Sequence, residues 1–341
     1  LPKLNKAVVP MAVKMGLALN CHINRRNHFD RKHYFYPDSP SGYQITQQHN
    51  PICTGGGISI ETEADGSLVI PLTKIHLEAD AGKLIHDEAQ PYSKVDLNRA
   101  GMPLIEMVTE PAIHSASAAG AVMEEIRRIA RFLDISDGNM EEGSLRCDAN
   151  ISIRPAGEDK LGQKVEIKNM NSIRNVKRAI EFEIDRQISC LENQEPILTE
   201  TRLFDADTGT TSGMRTKEEA EDYRYFADPD LPSFEISDDW LEEIRASMSP
   251  TPSAYKTHFI DTYGLNAYDA GVLTEEKFLA AWFQELVDGG LNPKTSANWL
   301  MGPVKGQWNL LPDEEFDLAV SQLIELMPVS YTHLTLPTIQ L

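Results

Sequence analysis

From residue 144 to residue 154 the chain alternates without a break. Ser144, Arg146, Asp148, Asn150, Ser152 and Arg154 are interleaved with Leu145, Cys147, Ala149, Ile151 and Ile153. Successive side chains of a strand point to opposite faces, so the pattern predicts one strand over 144–154. Its apolar face is buried, and its polar face carries two guanidiniums, a carboxylate and an amide. Two other segments repeat the pattern. In 75–80, His76, Glu78 and Asp80 share a strand face ahead of the small-residue turn Ala81-Gly82-Lys83. In 165–169, Glu166 and Lys168 share a face, with Asn169 and Asn171 just beyond. Three such strands predict one sheet whose open side is a site.

Helical spacing appears between the strands. Val8, Met11, Val13, Met15 and Leu19 predict a helix near the start, with Pro10 confined to its first turn or breaking it. Ser115 is placed as the N-cap of a helix over 115–133, whose stripe is Ala119, Val122, Ile126, Ile129 and Leu133. A second helix over about 172–192 carries Ile173, Val176, Ile180, Ile184, Ile188 and Leu191. The order strands, helix, strands, helix, strands predicts an α+β fold: a largely antiparallel sheet with helices on one face and its polar face open. After Pro232 the pattern becomes helical. Helix 238–247 is followed by Pro250 and Pro252, helix 274–288 ends at Gly289-Gly290, Asn292-Pro293 starts another, and a last helix spans about 313–326. The expected organisation is an α+β domain over 1–235, a small all-helical domain over 236–327, and a non-native tail over 328–341.

Composition narrows the class. The 341 residues, 41% hydrophobic and 25% charged, are enough for a large core in two domains and fit an ordinary soluble protein. No run is long enough to cross a bilayer. Cys21, Cys53, Cys147 and Cys190 form no CxxC pair and no zinc spacing, which predicts free thiols and a cytoplasmic location. The net charge of −20 argues against a protein that grips nucleic acid over its whole surface. Residues 1–50, however, hold seven Lys or Arg against two Asp, a local balance of about +5, which suits a partner touched at a few points. The carboxylates and imidazole of the strand faces are ligands for Mg²⁺, and the Arg, Lys and amide groups complement phosphate. A cross-strand ladder of ion pairs is the competing reading of the same residues.

Longer blocks carry a resemblance. Phe29-Asp-Arg-Lys-His-Tyr-Phe-Tyr-Pro-Asp38, Leu97-Asn-Arg-Ala-Gly-Met-Pro-Leu-Ile-Glu106, Asp137-Gly-Asn-Met-Glu-Glu-Gly-Ser-Leu-Arg-Cys-Asp-Ala-Asn150, Lys164-Val-Glu-Ile-Lys-Asn169 and Asp222-Tyr-Arg-Tyr-Phe226 stand in that order. Together they resemble the B-subunit family of the tRNA-dependent aspartyl/glutamyl amidotransferases, over residues 1–327. The resemblance implies an ATP- and Mg²⁺-dependent, glutamine-hydrolysing amidation of Glu-tRNA(Gln) or Asp-tRNA(Asn) in the cytoplasm. ATP phosphorylates the side-chain carboxylate carried by the tRNA, and ammonia displaces the phosphate. The implied partners are an amidase-type A subunit that delivers the ammonia, a small C subunit and the tRNA.

Set against that activity, His76, Glu78, Asp80 and Asp148 become the metal candidates. Lys83, Arg146, Asn150 and Lys168 become the nucleotide-side candidates. Glu141, Glu142, Arg146 and Lys168 are the catalytic candidates, with the two glutamates as further ligands or an ammonia-handling base. At 78–80 the family pattern has two adjacent glutamates before the aspartate, where this chain has Glu78-Ala79-Asp80. The family's opening strand, with its own Glu and His, and its C-terminal tail domain lie outside these residues, so the chain is expected to be a fragment. The rival expectation is a tRNA-binding or scaffolding piece without catalysis of its own.

Overall fold

In the computed structural model, which describes residues 2–86, 92–216, 222–311 and 318–333, the chain opens with α1 (Val8–Ala18). Pro10 occupies its first turn, where the missing N–H removes no intrahelical bond. The short strands β1 (His22–Ile23), β2 (Arg26–Asn27), β3 (Asp30–His33), β4 (Tyr43–Thr46) and β5 (Cys53–Thr54) lead to a hairpin of β6 (Gly57–Thr62) with the long β7 (Gly66–Ala79). A second hairpin, β8 (Lys83–His86) with β9 (Ser93–Asp96), precedes β10 (Pro103–Thr109) and α2 (Ala116–Phe132). Then follow β11 (Ala149–Ile151), β12 (Val165–Lys168), α3 (Ile173–Glu192), β13 (Glu200–Asp205) and β14 (Thr210–Thr216). The strands β15 (Phe226–Ala227) and β16 (Phe234–Glu235) and the helix α4 (Asp238–Ala246) complete this part. The chain divides into two compact units, Leu1–Met248 and Ser249–Leu341. Leu241 and Ile244 of α4 pack in the core of the first, although the sequence pattern places that helix with the helical part.

The fold is α+β and largely antiparallel, but the charged strands do not share one sheet. One sheet runs β1-β5-β7-β10 with β6 also on β7, and a separate four-stranded sheet runs β11-β12-β13-β14, with β12 and β13 its parallel pair. The predicted strand over 144–154 is also shorter than its pattern, because only Ala149, Asn150 and Ile151 find ladder partners, on β12. The alternation of exposure nevertheless holds from 144 to 150. Leu145, Cys147, Ala149 and Ile151 pack against a core with Met123, Ile167, Val176 and Phe204, leaving the even positions outside. Helix α2 joins the two cores. It turns Ala118, Val122, Ile126 and Ile129 to the first sheet, and Ala116, Ala119 and Met123 to the second. Its N-cap is the expected Ser115, whose Oγ accepts from the Ala118 N–H at 3.0 Å, and Ser172 caps α3 in the same way at 3.1 Å.

A break in register on β7 creates the polar face. Ile70 and Leu72 point into the core, and strict alternation would send the even positions 74, 76 and 78 inward too. Between Thr109↔Leu72 and Val108↔Lys74 the pairing with β10 slips by one residue, a bulge that leaves Thr73 unmatched in that ladder. Beyond it the odd residues Ile75 and Leu77 face the core at 0% and 2% exposure, and His76 and Glu78 turn to the opposite face.

The second unit is helical throughout its described residues: α5 (Pro252–Tyr263), α6 (Ala267–Leu273), α7 (Lys277–Asp288), α8 (Pro293–Trp299), a π-turn at Leu300–Val304, α9 (Lys305–Trp308) and α10 (Val320–His333). Two of these helices exceed the sequence expectation. Pro252 reads as a break but serves as the first residue of α5, with Thr251 as N-cap, and α6 is capped by Asn266. The rings of Phe259 and Phe283 meet at 4.5 Å and anchor α5 on α7. Helix α10 runs past residue 327 to His333 with Pro328 inside it, so the described part of the expected tail is helical. Residues 334–341, and 313–317 of the expected last helix, lie outside the described residues.

Candidate active site

His76 and Glu78 are 4% and 9% exposed, and such groups are stable there only if their polar atoms find partners. Antiparallel pairing sets Glu106 of β10 directly across from His76. The His76 Nε2 lies 3.2 Å from Glu78 Oε1 and 3.8 Å from Glu106 Oε2. One ligand atom from each of the three residues falls within 4.8 Å of the others, a metal-like grouping among the described residues. Burial pushes Glu78 up, but hydrogen bonds from His76 and Thr46 outweigh it and hold the carboxyl below its ordinary value. Glu106 is the open side of the cluster, its side chain 47% exposed, and partial desolvation with the adjacent Glu78 charge raises it. Two carboxylates that close disfavour joint ionisation unless a cation sits between them. His76 Nδ1 is buried without a hydrogen-bond partner.

The cover over this cluster comes from β3 and β4. Their register pairs Asp30 with Thr46 and Lys32 with Gln44, so these four side chains share a face. Thr46 Oγ1 donates to Glu78 Oε1 at 2.7 Å, and Gln44 Nε2 donates to Glu78 Oε2 at 2.9 Å and to the Ala79 carbonyl at 3.0 Å. Both oxygens of Glu78 are thereby fixed in direction. The Lys32 charge acts on both Glu78 and Glu106, and its Nζ lies 4.7 Å over the Tyr223 ring. Two of the long sequence blocks meet here, since β15 of 222–226 pairs with β3 of 29–38, placing Phe226 opposite Arg31. Arg31 holds Asp228 and Asp230 at 2.9 Å each and locks that junction.

Asp80 continues the face but belongs to a different group. Its carboxylate receives Arg146 in a close ion pair and Arg99 at 3.3 Å. Arg146 precedes β11, so this contact ties the two sheets together. Farther along, Lys168 donates to Asp148 at 2.7 Å and lies 3.5 Å from Glu166, whose other oxygen accepts from Thr201. Burial lowers the Lys168 ammonium, and the two carboxylates more than reverse that. Asn150 is exposed and stands opposite Glu166 in the ladder. Glu141 and Glu142 are exposed in a turn whose N–H groups donate to Asn139 Oδ1. That turn reaches Arg99, since a Cβ on Gly143 would lie 4.0 Å from its Nη1. Lys83 is exposed at the start of β8.

Of the four residues read from the sequence as metal candidates, the structure brings His76 and Glu78 together, sets Asp80 among arginines and pairs Asp148 with Lys168. The third member of the cluster is Glu106, which the sequence shows only as the last residue of the block 97–106. Gln44, Thr46, Lys32 and Arg99 are likewise added by the structure. Nothing about their spacing along the chain signals that they converge. Three of the four thiols are held protonated, because burial pushes Cys21 up to about 11 and Cys147 to about 12, and raises Cys53 further.

Comparison with known proteins places the chain in a family. The family model described as GatB/GatE catalytic domain matches residues 1–242. The chain is 53% identical over 302 residues to the B subunit of the aspartyl/glutamyl-tRNA(Asn/Gln) amidotransferase of Desulfotalea psychrophila, covering 88% of this chain and 63% of that protein. It is 50% identical over 332 residues to the protein of the same name from Thermodesulfovibrio yellowstonii, covering 96% and 69%. The Nostoc punctiforme protein of that name is 47% identical over 339 residues, covering 97% and 68%. The chain thus spans about two thirds of the length of these relatives. With its β7–β10 cluster and both flanking blocks inside the matched residues, the chain belongs to the GatB/GatE catalytic-domain family.

Proposed function

We propose that this chain carries the carboxylate-activating centre of a tRNA-dependent amidotransferase. In this reading ATP phosphorylates the side-chain carboxylate of Glu-tRNA(Gln) or Asp-tRNA(Asn), and ammonia released from glutamine then displaces the phosphate. Its partners are an amidase-type A subunit and a small C subunit, and its location is the cytoplasm. Among the described residues no helix is long and apolar enough to cross a membrane, in keeping with that location. The observation that carries the reading is the convergence of His76, Glu78 and Glu106 on one spot of a face lined farther on by Arg99, Arg146 and Lys168.

The cluster fits a divalent cation. Two carboxylates and an imidazole are a mixed but workable donor set for Mg²⁺ or Mn²⁺, with water and phosphate oxygens completing the shell. Bound there, the cation would supply charge neutralisation for a transferring phosphoryl group. The chain's own residues have distinct tasks. Thr46 and Gln44 orient Glu78, and Lys32 supplies a positive charge opposite the two carboxylates. Arg146 offers a guanidinium to equatorial phosphoryl oxygens. Lys168, held charged by Asp148 and Glu166, extends the cationic wall. The test is reconstitution of the complete protein with its two partner subunits, ATP, glutamine and misacylated tRNA. The expected product is Gln-tRNA(Gln) or Asn-tRNA(Asn), formed only when ATP is present. Product formation without ATP, or none with every component present, overturns the reading.

A further inference from the structure

We propose that Asp80, Arg99 and Arg146 form a clamp for a phosphoryl oxyanion, in which Asp80 organises two guanidiniums and does not ligate the metal. The inference rests on the metal-and-nucleotide reading above and assigns a role to Arg99, which the sequence pattern does not single out.

Asp80 is locked in place by its own backbone. Its N–H donates to the Met102 carbonyl and its carbonyl accepts from the Gly101 N–H, both at 2.8 Å. Its Oδ1 also accepts from the Ala81 N–H at 2.9 Å. The corner that follows is packed so closely that a Cβ on Gly82 would lie 2.8 Å from the Asp96 carbonyl and 3.2 Å from the Asp38 carbonyl. The carboxylate therefore stays with its arginines, one strand repeat, about 6–7 Å, from the side chain of Glu78.

The two arginines differ in freedom. Arg99 is engaged on three sides, donating to the Ala81 carbonyl at 3.2 Å and the Gly82 carbonyl at 2.8 Å and pairing with Asp80 at 3.3 Å. It is a positioning residue that holds the corner and the carboxylate together. The Arg146 side chain is 41% exposed, and among the described residues Asp80 is the polar partner recorded for it. A guanidinium has five N–H donors in a fixed fork, so most of those on Arg146 remain for a ligand. Within this trio two cations share one anion, which leaves one positive charge in excess. A phosphoryl group with one oxygen toward the cluster at His76, Glu78 and Glu106 and another toward Arg146 would meet a cation site on one side and a guanidinium on the other. Asp148, the next carboxylate along the face, is occupied by Lys168 and does not cancel the excess.

The experiment compares the full chain with D80N, R146Q, R99K and, as a ligand control, E78Q. Mn²⁺ alone is titrated by electron paramagnetic resonance, and Mg²⁺–ADP and inorganic phosphate by calorimetry. The expected result is that E78Q loses Mn²⁺, whereas D80N and R146Q bind Mn²⁺ within threefold of wild type and bind Mg²⁺–ADP at least tenfold more weakly. R99K should weaken ADP less than R146Q, because a lysine keeps the charge but not all of the corner's hydrogen bonds. Inorganic phosphate that binds wild type and not R146Q assigns the clamp to a phosphate group as such, and ADP binding without phosphate binding assigns it to a phosphate delivered on a nucleotide. A D80N chain that loses Mn²⁺ as E78Q does makes Asp80 a ligand and overturns the proposal. Unchanged ADP affinity in R146Q, a surface change that leaves thermal unfolding intact, overturns it as well. Wild type that binds neither Mn²⁺ nor ADP refutes the underlying metal-and-nucleotide reading, and the clamp falls with it.

Discussion

Thr46 is the most informative single perturbation, because it touches the cluster only through Glu78. Its hydroxyl is buried at 2% exposure and donates to Glu78 Oε1 at 2.7 Å. Thr46→Val keeps the volume and removes the donor. A hydrogen bond to a charged group contributes about 1.5–3 kcal/mol. Loss of a group that orients a metal ligand weakens metal binding about 10–100-fold, or about 1.4–2.8 kcal/mol, so the two magnitudes agree. Gln44 and His76 still hold Glu78, which places the expected loss nearer the lower end. The same bond helps depress Glu78, whose contribution to stability is present above its unfolded value and lost as pH falls through the folded one. The variant should therefore show a smaller loss of stability between neutral and acid pH. The assay is Mn²⁺ titration of wild type, Thr46→Val and Thr46→Ser at pH 7, with urea melts alongside. Valine should weaken Mn²⁺ about tenfold, and serine should restore most of the affinity. Unchanged Mn²⁺ affinity in a folded Thr46→Val chain would refute the reasoning, since Glu78 would then not be oriented for a cation.

Three further outcomes follow from the geometry. Glu106, whose side chain is 47% exposed, is raised by partial desolvation and by the Glu78 charge, so without metal it favours the fold at low pH and that contribution fades as pH rises from the ordinary carboxylate value of about 4.3 through the raised one. Glu106→Gln should flatten that dependence in melts between pH 4 and pH 8, and should weaken Mn²⁺ binding. Phe204, 1% exposed in the core between α3 and the second sheet, should lose about 3–5 kcal/mol on replacement by alanine, read from the urea midpoint. Gly56 sits at φ 81°, with a would-be Cβ 2.5 Å from the Leu19 carbonyl. Gly56→Ala should therefore lose about 1–2 kcal/mol or more in the same melts, from the left-handed backbone and the backbone clash.

The helices and the α+β class are legible in the sequence because they depend on local periodicity and caps. Ser115 marks the start of α2, whose apolar stripe meets the cores as read, whereas the α3 stripe is buried through Ile173, Val176 and Ile180 and leaves Ile188 and Leu191 exposed. Sheet membership is not legible in this way. The alternation over 144–154 records an extended backbone lying on a core, but a ladder also needs a partner, which only 149–151 find. The single sheet expected from three similar strands is two sheets, because periodicity describes a strand's faces and not its neighbours. The candidate site divides along the same line. His76 and Glu78 are visible as an i, i+2 pair, while Glu106 arrives by antiparallel register and Thr46 and Gln44 by the packing of a third sheet. The bulge beside Thr73, which decides that His76 faces away from the core, has no sequence signature distinct from an ordinary strand.

If the cluster of His76, Glu78 and Glu106 serves ATP-dependent activation of a carboxylate, phosphoryl transfer must be visible before any ammonia arrives. The most direct measurement uses the complete protein reconstituted with its two partner subunits. Misacylated tRNA and γ-labelled ATP are supplied, glutamine is withheld, and label transferred to the tRNA-borne amino acid is counted. Wild type should label the aminoacyl group and discharge the label as phosphate when ammonia is added, and Glu78→Gln should do neither. Labelling by the Glu78→Gln complex at the wild-type rate would contradict the account.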